Sequence, residues 1–237
     1  PVTPVMRAIS RSGTVPPIKH EYENLDYRAA YPYLLTQLAS HNELRTPRLR
    51  PPRLAGVTWG VAAVVPTFSP PESVIHLLAR LRDMVEVVLV ADDASPATFD
   101  SLLRELPVPV LRHDHNAGIA RGVNAGIRFA RENGCSWLLT VDQDSELPAN
   151  YLSELWGGLN QALDTGVNVA AVAAQTVIAD ETPLEYPIRQ VAEIPTTAEV
   201  FLSGTLWSVA ALEGIGGFDG SFGMDGVDTA ACLALRR

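Results

Sequence analysis

From residue 60 onward, apolar runs that end in polar residues alternate with amphipathic stretches, and this alternation leaves few folds open. The run 60-GVAAVVPTF-68 predicts a buried strand ended by Pro66. The stretch 71-PESVIHLLARLRD-83 predicts a helix with Pro71 in its first turn and Val74, Leu77, Leu78 and Leu81 on one face. Strand 85-VEVVLVADDAS-95, helix 97-ATFDSLLREL-106 and short strand 108-VPVLRHD-114 follow. Helix 117-AGIARGVNAGIRFARENG-134, closed by Gly134, and strand 136-SWLLTVDQD-144 complete the series. An order β-α-β-α-β-α-β with continuous apolar strands predicts an α/β fold: a Rossmann-like, mostly parallel sheet flanked by helices. Ligands of such sheets sit at the carboxyl ends of the strands.

The polar residues fall at those ends: Thr67, then Asp92 and Asp93, then His113 to Asn116, then Asp142 and Asp144. If the fourth strand runs on through Asp144, its period of two puts Asp142 and Asp144 on one side, about 6 to 7 Å apart. Two anions at the end of an apolar strand are unfavourable without a cation or several donors. Hard oxygen ligands suit Mg²⁺ or Mn²⁺, which keeps waters and bridges substrate phosphates. A helix cap followed by the turn 145-SELP-148 is the plainer alternative, and the metal site is preferred to it. Asp92 and Asp93 divide evenly between helix capping and accepting the imide N–H of a uracil or thymine base, with Thr67 alongside.

Other motifs leave their roles open. The segment 116-NAGIARGVNAGIRFA-130 does not follow the first strand as a G-x-G-x-x-G motif should, so a dinucleotide site is a poor fit. Its small residues either bring the helix close to a ligand, with Asn124 or Arg121 available for contacts, or pack the helix on the sheet. The stretches 203-SGTLWS-208 and 214-GIGGFDGSFGMDGVD-228 combine glycine, aromatic residues and the carboxylates Asp219, Asp225 and Asp228. Irregular backbone of this kind often lies close to a ligand. Asp228 stands before a helix-like pattern, where it serves either as N-cap or as a general base for a hydroxyl.

Charge and cysteine content exclude some classes. The chain of 237 residues carries −9 overall, but residues 1–60 hold +4, leaving −13 on the remainder. An acidic body argues against nucleic acid as a partner and suits a protein that binds anionic ligands through a metal. Cys135 and Cys232 lack metal-ligand spacing and read as buried thiols. No run reaches the roughly eighteen apolar residues of a membrane span, and the N-terminus lacks a signal-peptide pattern, so the expected location is cytoplasmic. Residues 1–59, rich in Pro and Arg with one plausible helix over 27–40, read as an N-terminal extension. Residues 60–237 read as the main domain, truncated at its C-terminus in the midst of the helical pattern 233-LALRR-237.

Six motifs in order, VVPTFSP, VLVADDAS, NAGIARGVNAGI, LTVDQDSELP, SGTLWS and GIGGFDGSFGMDGVDTAACLALRR, span residues 61–237. Together they resemble the inverting family 2 glycosyltransferases of the GT-A fold, especially the bacterial rhamnosyltransferase-like branch whose strand-end motif reads DQDS. The resemblance implies that Thr67 and Asp93 hold the base of a UDP- or dTDP-sugar. Pro66, Asp92, Asn116, Gly118, Asn124, Asp142 and Gln143 complete the nucleotide-sugar site. Asp142 and Asp144 match the DXD motif and would hold Mg²⁺ or Mn²⁺. Asp228, four residues before Cys232, matches the catalytic base, and Ser203, Gly204, Trp207 and Asp225 border the acceptor side.

The implied reaction transfers rhamnose or galactofuranose to a hydroxyl of a glycan or lipid-linked glycan with inversion, in cell-wall or polysaccharide synthesis. A lipid-linked acceptor would bring the protein to the inner face of the plasma membrane as a peripheral protein. Two positions depart from the family pattern. Relatives carry an acid two residues after the base, where this chain has Ala230, and an Arg where it has Ala234. These departures keep a second possibility in play, a catalytically degenerate module that binds a nucleotide sugar or a protein. A sugar-phosphate nucleotidyltransferase fits less well, because 66-PTFSPPES-73 holds no basic residue for a triphosphate.

Overall fold

A computed structural model of the chain describes residues 6–10, 60–164, 166, 168–174 and 199–236. The helix expected over 27–40 lies outside the described residues. Among the described residues seven strands form one sheet: β1 Met6–Ser10, β2 Val61–Thr67, β3 Val87–Asp92, β4 Val110–Arg112, β5 Trp137–Thr140, β6 Val169–Ala174 and β7 Thr205–Ser208. Their order across the sheet is β1-β6-β7-β5-β2-β3-β4. Strands β2 to β6 run one way, and β7 and β1 run against them. The expected mostly parallel α/β sheet is therefore present, with Met6–Ser10 from the N-terminal extension on its edge. Among the described residues six α-helices surround it: α1 Val74–Met84, α2 Asp100–Glu105, α3 Ile119–Glu132, α4 Tyr151–Asp164, α5 Val209–Gly214 and α6 Val227–Leu235.

Strand periodicity divides the core into two layers. Ala62, Val64, Leu89, Ala91 and Leu138 pack on one face with α3, α5 and α6. Val61, Ala63, Val65, Val88, Val90, Trp137 and Leu139 pack on the other with α1 and α4. Continuous apolar strands are what a sheet covered on both faces requires. The glycines of α3 serve this packing. A Cβ at Gly126 would lie 2.6 Å from Val64 Cβ, and one at Gly122 would lie 3.3 Å from Ala91 Cβ. The helix ends where expected: Gly134 has φ +68°, and the Cys135 N–H reaches back to the Ala130 carbonyl at 2.9 Å.

Two expectations require correction. The fourth strand stops at Thr140, and the Ser145 N–H bonds the Asp142 carbonyl at 3.1 Å. Asp142 and Asp144 thus sit on a turn, not on one face of a strand. The last helix begins at Val227 after Gly226, whose φ is +85°. Asp228 therefore lies within its first turn and is not its N-cap.

Candidate active site

The parallel strands bring Thr67, Asp92, His113 and Asp142 to one edge of the sheet. Strand β7 runs against β5, and its first residue, Thr205, faces Thr140, the last of β5. That register sets residues 202–204 beside Asp142. Helix α3 also starts at this edge, after β4.

At the β3 end the two adjacent aspartates have different tasks. Asp92 is completely buried, and its carboxylate accepts from Thr67 Oγ1 at 3.1 Å, Ser95 N–H at 3.1 Å and Ser95 Oγ at 2.5 Å. Arg112 Nε, on the register partner in β4, stands 3.3 Å away. Asp92 is therefore a strand-end tie and not a nucleotide contact, because its oxygens are already engaged. Asp93 turns the other way. It accepts from the Gly118 N–H at 2.8 Å and the Ala117 N–H at 3.0 Å, just ahead of α3. A carboxylate has about four acceptor positions, so Asp93 retains capacity for a further donor. Pro66 packs near Gly122, and Asn116 is exposed on the loop before α3.

Beside Asp93, His113 is 5% exposed, and neither ring nitrogen has a hydrogen-bond partner. Burial, followed by the charge of Arg121, holds its pKa below the ordinary imidazole value.

The β5 end gathers the remaining carboxylates. The Asp142 N–H donates to Ser203 Oγ at 2.9 Å, and Ser145 Oγ lies 3.1 Å from the same Ser203 oxygen. Burial raises the pKa of Asp142. The hydrogen bond from Ser203 works against this, and the charges of Asp144 and Asp228 add to it. Asp142 thus lies within electrostatic reach of both Asp144 and Asp228. Asp228 is held by the Leu202 N–H, which donates to its Oδ2 at 3.2 Å, and its Oδ1 accepts from the Thr229 N–H at 2.9 Å. Leu202 and Ser203, adjacent in the chain, therefore fasten Asp228 and Asp142 respectively. Gln143 ties the turn to the end of β2: its Oε1 accepts from the Phe68 N–H at 3.0 Å and its Nε2 donates to the Phe68 carbonyl at 3.1 Å.

Support for residues 202–204 comes from below. Thr140 Oγ1 donates to the Leu202 carbonyl and accepts from Trp207 Nε1 at 2.9 Å. Trp207 is completely buried against Phe218, with ring centroids 5.3 Å apart. This corrects the expectation that Trp207 borders an acceptor, since no part of its side chain reaches the surface. Gly204, at φ +75°, sits against Tyr151: a Cβ there would lie 2.4 Å from the Tyr151 hydroxyl, which donates to the Gly204 carbonyl at 2.6 Å.

Asn124 also changes role. It is 7% exposed, and both ends of its amide bond the backbone of Phe218, so it is not free to contact a nucleotide. Asp225 is exposed in the turn before Gly226. Ser95, Arg112, Thr140 and Tyr151 belong to this constellation although no motif assigned them a role. The one legible hint was the pair of opposite charges at neighbouring strand ends, Asp92 and Arg112.

The donor set can be tested for a divalent cation. Among the described residues no group of three or more His, Cys, Asp or Glu side chains could hold a metal ion. Asp142 and Asp144 alone would suit Mg²⁺ or Mn²⁺ completed by phosphate oxygens and water. The mutual repulsion at Asp142 is what such an ion would relieve. Among the described residues no helix is long and apolar enough to cross a membrane.

Comparison with known proteins fits this arrangement. The model of Glycosyl transferase family 2 matches residues 62–207, more than half of the chain. A dTDP-rhamnosyl transferase, RfbF of Shigella flexneri, is 25% identical over 73% of this chain, which spans 62% of that relative's length. A molybdenum cofactor guanylyltransferase of Cereibacter sphaeroides is 35% identical, but over only 32% of this chain and 38% of its own. S. aureus TarS 1-349 shares the fold, with a TM-score of 0.54 and 15% identity over 74% of this chain and 55% of that one. The same TarS fragment in complex with UDP gives a TM-score of 0.52 at 16% identity, with the same coverage. The strand-end carboxylates thus stand on a GT-A sheet, and the chain belongs to glycosyl transferase family 2.

Proposed function

We propose that the domain transfers a sugar from a UDP- or dTDP-sugar to a hydroxyl of a glycan acceptor by a single displacement with inversion. The observation that carries this is the gathering of Asp142, Asp144 and Asp228 at one strand edge, with Asp228 fastened through Leu202 and Asp142 through Ser203. Asp228 accepts the proton of the acceptor hydroxyl as its oxygen bonds to the anomeric carbon. The bond from that carbon to the diphosphate breaks, and the electron pair leaves with the nucleoside diphosphate. Mg²⁺ or Mn²⁺ held by Asp142 and Asp144 would supply charge neutralisation for the departing diphosphate. Asp93, with Thr67 nearby, receives the base. Rhamnose is the favoured sugar, on the strength of the likeness to the RfbF rhamnosyl transferase. The acceptor is a cell-surface glycan or its lipid-linked precursor, met at the inner face of the membrane.

Release of UDP or dTDP from dTDP-rhamnose and UDP-galactofuranose, measured with Mn²⁺ and with EDTA, tests the proposal. Metal-dependent release with one donor is expected. Ala230 is the residue that favours the alternative, a binding module. Tight binding of a nucleotide sugar with neither hydrolysis nor transfer would support that alternative and overturn the enzymatic one.

A further inference from the structure

The segment between α5 and α6 carries Asp228 into the site, yet most of it has little buried anchorage. Ser221, Phe222, Gly223, Met224 and Asp225 are all exposed. Phe218 sets its ring on Trp207 near the root of the segment, and two further contacts come from α3 or its start. Asn124 Oδ1 accepts from the Phe218 N–H at 2.8 Å, and Asn124 Nδ2 donates to the Phe218 carbonyl at 2.8 Å. One side chain thus satisfies both backbone groups of one residue, as a neighbouring strand would, and so fixes its orientation as well as its position. Gly217, at φ +87°, admits the amide: a Cβ there would lie 2.5 Å from Asn124 Oδ1. Farther along, Gly223 lies against Gly118, where a Cβ would come within 2.4 Å of the Gly223 carbonyl oxygen. Gly118 is in turn held by Asp93.

We propose that Asn124 is a positioning residue for Asp228, acting by clamping Phe218 at the root of the segment that delivers that carboxylate. The inference rests on the role of Asp228 proposed above. A buried asparagine that merely satisfies a loop is the ordinary alternative. Against it, the clamped residue leads directly to Gly226 and the first turn of α6. At the opposite end α6 is seated by its buried residues Val227, Ala231, Cys232 and Leu235, and the Asp228 carboxylate itself is steadied by the Leu202 N–H. Loosening Phe218 would leave the exposed stretch free to shift Asp228 without disturbing the sheet. A displacement of about 1 Å at a reacting group costs up to roughly 100-fold in rate.

The test compares wild type, Asn124→Ala, Asn124→Asp and Asp228→Asn. Readouts are amide hydrogen exchange, affinity for UDP and dTDP, and nucleoside diphosphate release from dTDP-rhamnose and UDP-galactofuranose. In Asn124→Ala, exchange across 218–226 should rise at least about tenfold while β2 and β3 keep their protection. Turnover should fall roughly 10- to 100-fold, with UDP and dTDP affinity within about twofold of wild type. Asn124→Asp keeps the acceptor and, while ionised, lacks the donor. Its protection over 218–226 should recover as pH falls from about 8 to about 5 and the carboxyl gains a proton to donate. This keeps the proposal testable if the alanine variant does not fold. Unchanged exchange over 218–226, or no recovery in Asn124→Asp, would overturn the clamp. A loosened segment with wild-type turnover, while Asp228→Asn is inactive, would overturn the positioning role alone. Loss of UDP and dTDP affinity in step with turnover would make Asn124 a nucleotide contact instead. Undiminished turnover in Asp228→Asn would overturn the inference together with the proposed function.

Discussion

Thr140→Val isolates the hydrogen bonds beneath the site, because valine keeps the shape of threonine and removes only the hydroxyl. Thr140 is 1% exposed and Trp207 is fully buried, so water cannot replace what is lost. The substitution strands Trp207 Nε1, which donates to Thr140 Oγ1 at 2.9 Å, and the Leu202 carbonyl, which accepts from it. Each buried polar group left unsatisfied costs ~1–3 kcal/mol, so the two together cost roughly 2–6 kcal/mol. At about 2–4 °C per kcal/mol for a chain of this size, the melting temperature should drop by at least about 4 °C. Thr140→Ser keeps the hydroxyl and loses one methyl, for ~1 kcal/mol. Differential scanning calorimetry of both variants decides the matter. Activity should fall further in Thr140→Val than in Thr140→Ser, because Leu202 and Ser203 hold Asp228 and Asp142. A valine variant as stable as wild type, or a serine variant as damaged as the valine one, would refute the reasoning.

Asp142→Asn should leave the protein in EDTA at least as stable as wild type at neutral pH. Burial raises the folded pKa of Asp142 above its unfolded value, so its favourable contribution exists below the unfolded value and is lost as pH rises through the folded one. Thermal melts with and without Mn²⁺ check this: wild type should gain stability from the ion and the variant should not. His113 has the opposite sign of pH dependence. Its folded pKa lies below 6.5, with Arg121, Asp93, Arg128 and Asp114 around it, so stability is full above 6.5 and is lost as pH falls. Melting wild type and His113→Phe between about pH 7.5 and 5 should show the steeper acid loss in wild type.

The central sheet was legible because buried parallel strands read as unbroken apolar runs, and β2, β3 and β5 begin within two residues of expectation. The distal part was not. In β6, 169-VAAVAA-174 is alanine-rich and has no strand period, and the four residues of β7 are too few to show one. The strand-end carboxylates were visible, but their tasks depend on partners far away in the chain. What separates Asp92 from Asp93 is only partly local, because Thr67 and Arg112 on the neighbouring strands join Ser95 in engaging the oxygens of Asp92. Trp207 looked available in a glycine-flanked motif, yet its partner Thr140 lies 67 positions away. Asn124 likewise depends on Phe218, 94 positions away. The turn at Asp142 replaced the expected strand because the Ser145 N–H returns to the Asp142 carbonyl. Asp144 still acts on Asp142 through its charge.

The division of labour between the leaving-group acids and the attacking side is tested most directly at Asp228. Turnover of the donor that wild type uses, and affinity for the corresponding nucleoside diphosphate with Mn²⁺, should be measured for Asp228→Asn. Asparagine can keep the bond from the Leu202 N–H through its single carbonyl oxygen, gives up the one from the Thr229 N–H, and cannot take up the acceptor proton. Removing a general base of this kind costs about 100- to 10,000-fold in rate. The account predicts a loss of that order with affinity within about threefold of wild type. Turnover near the wild-type rate would contradict it.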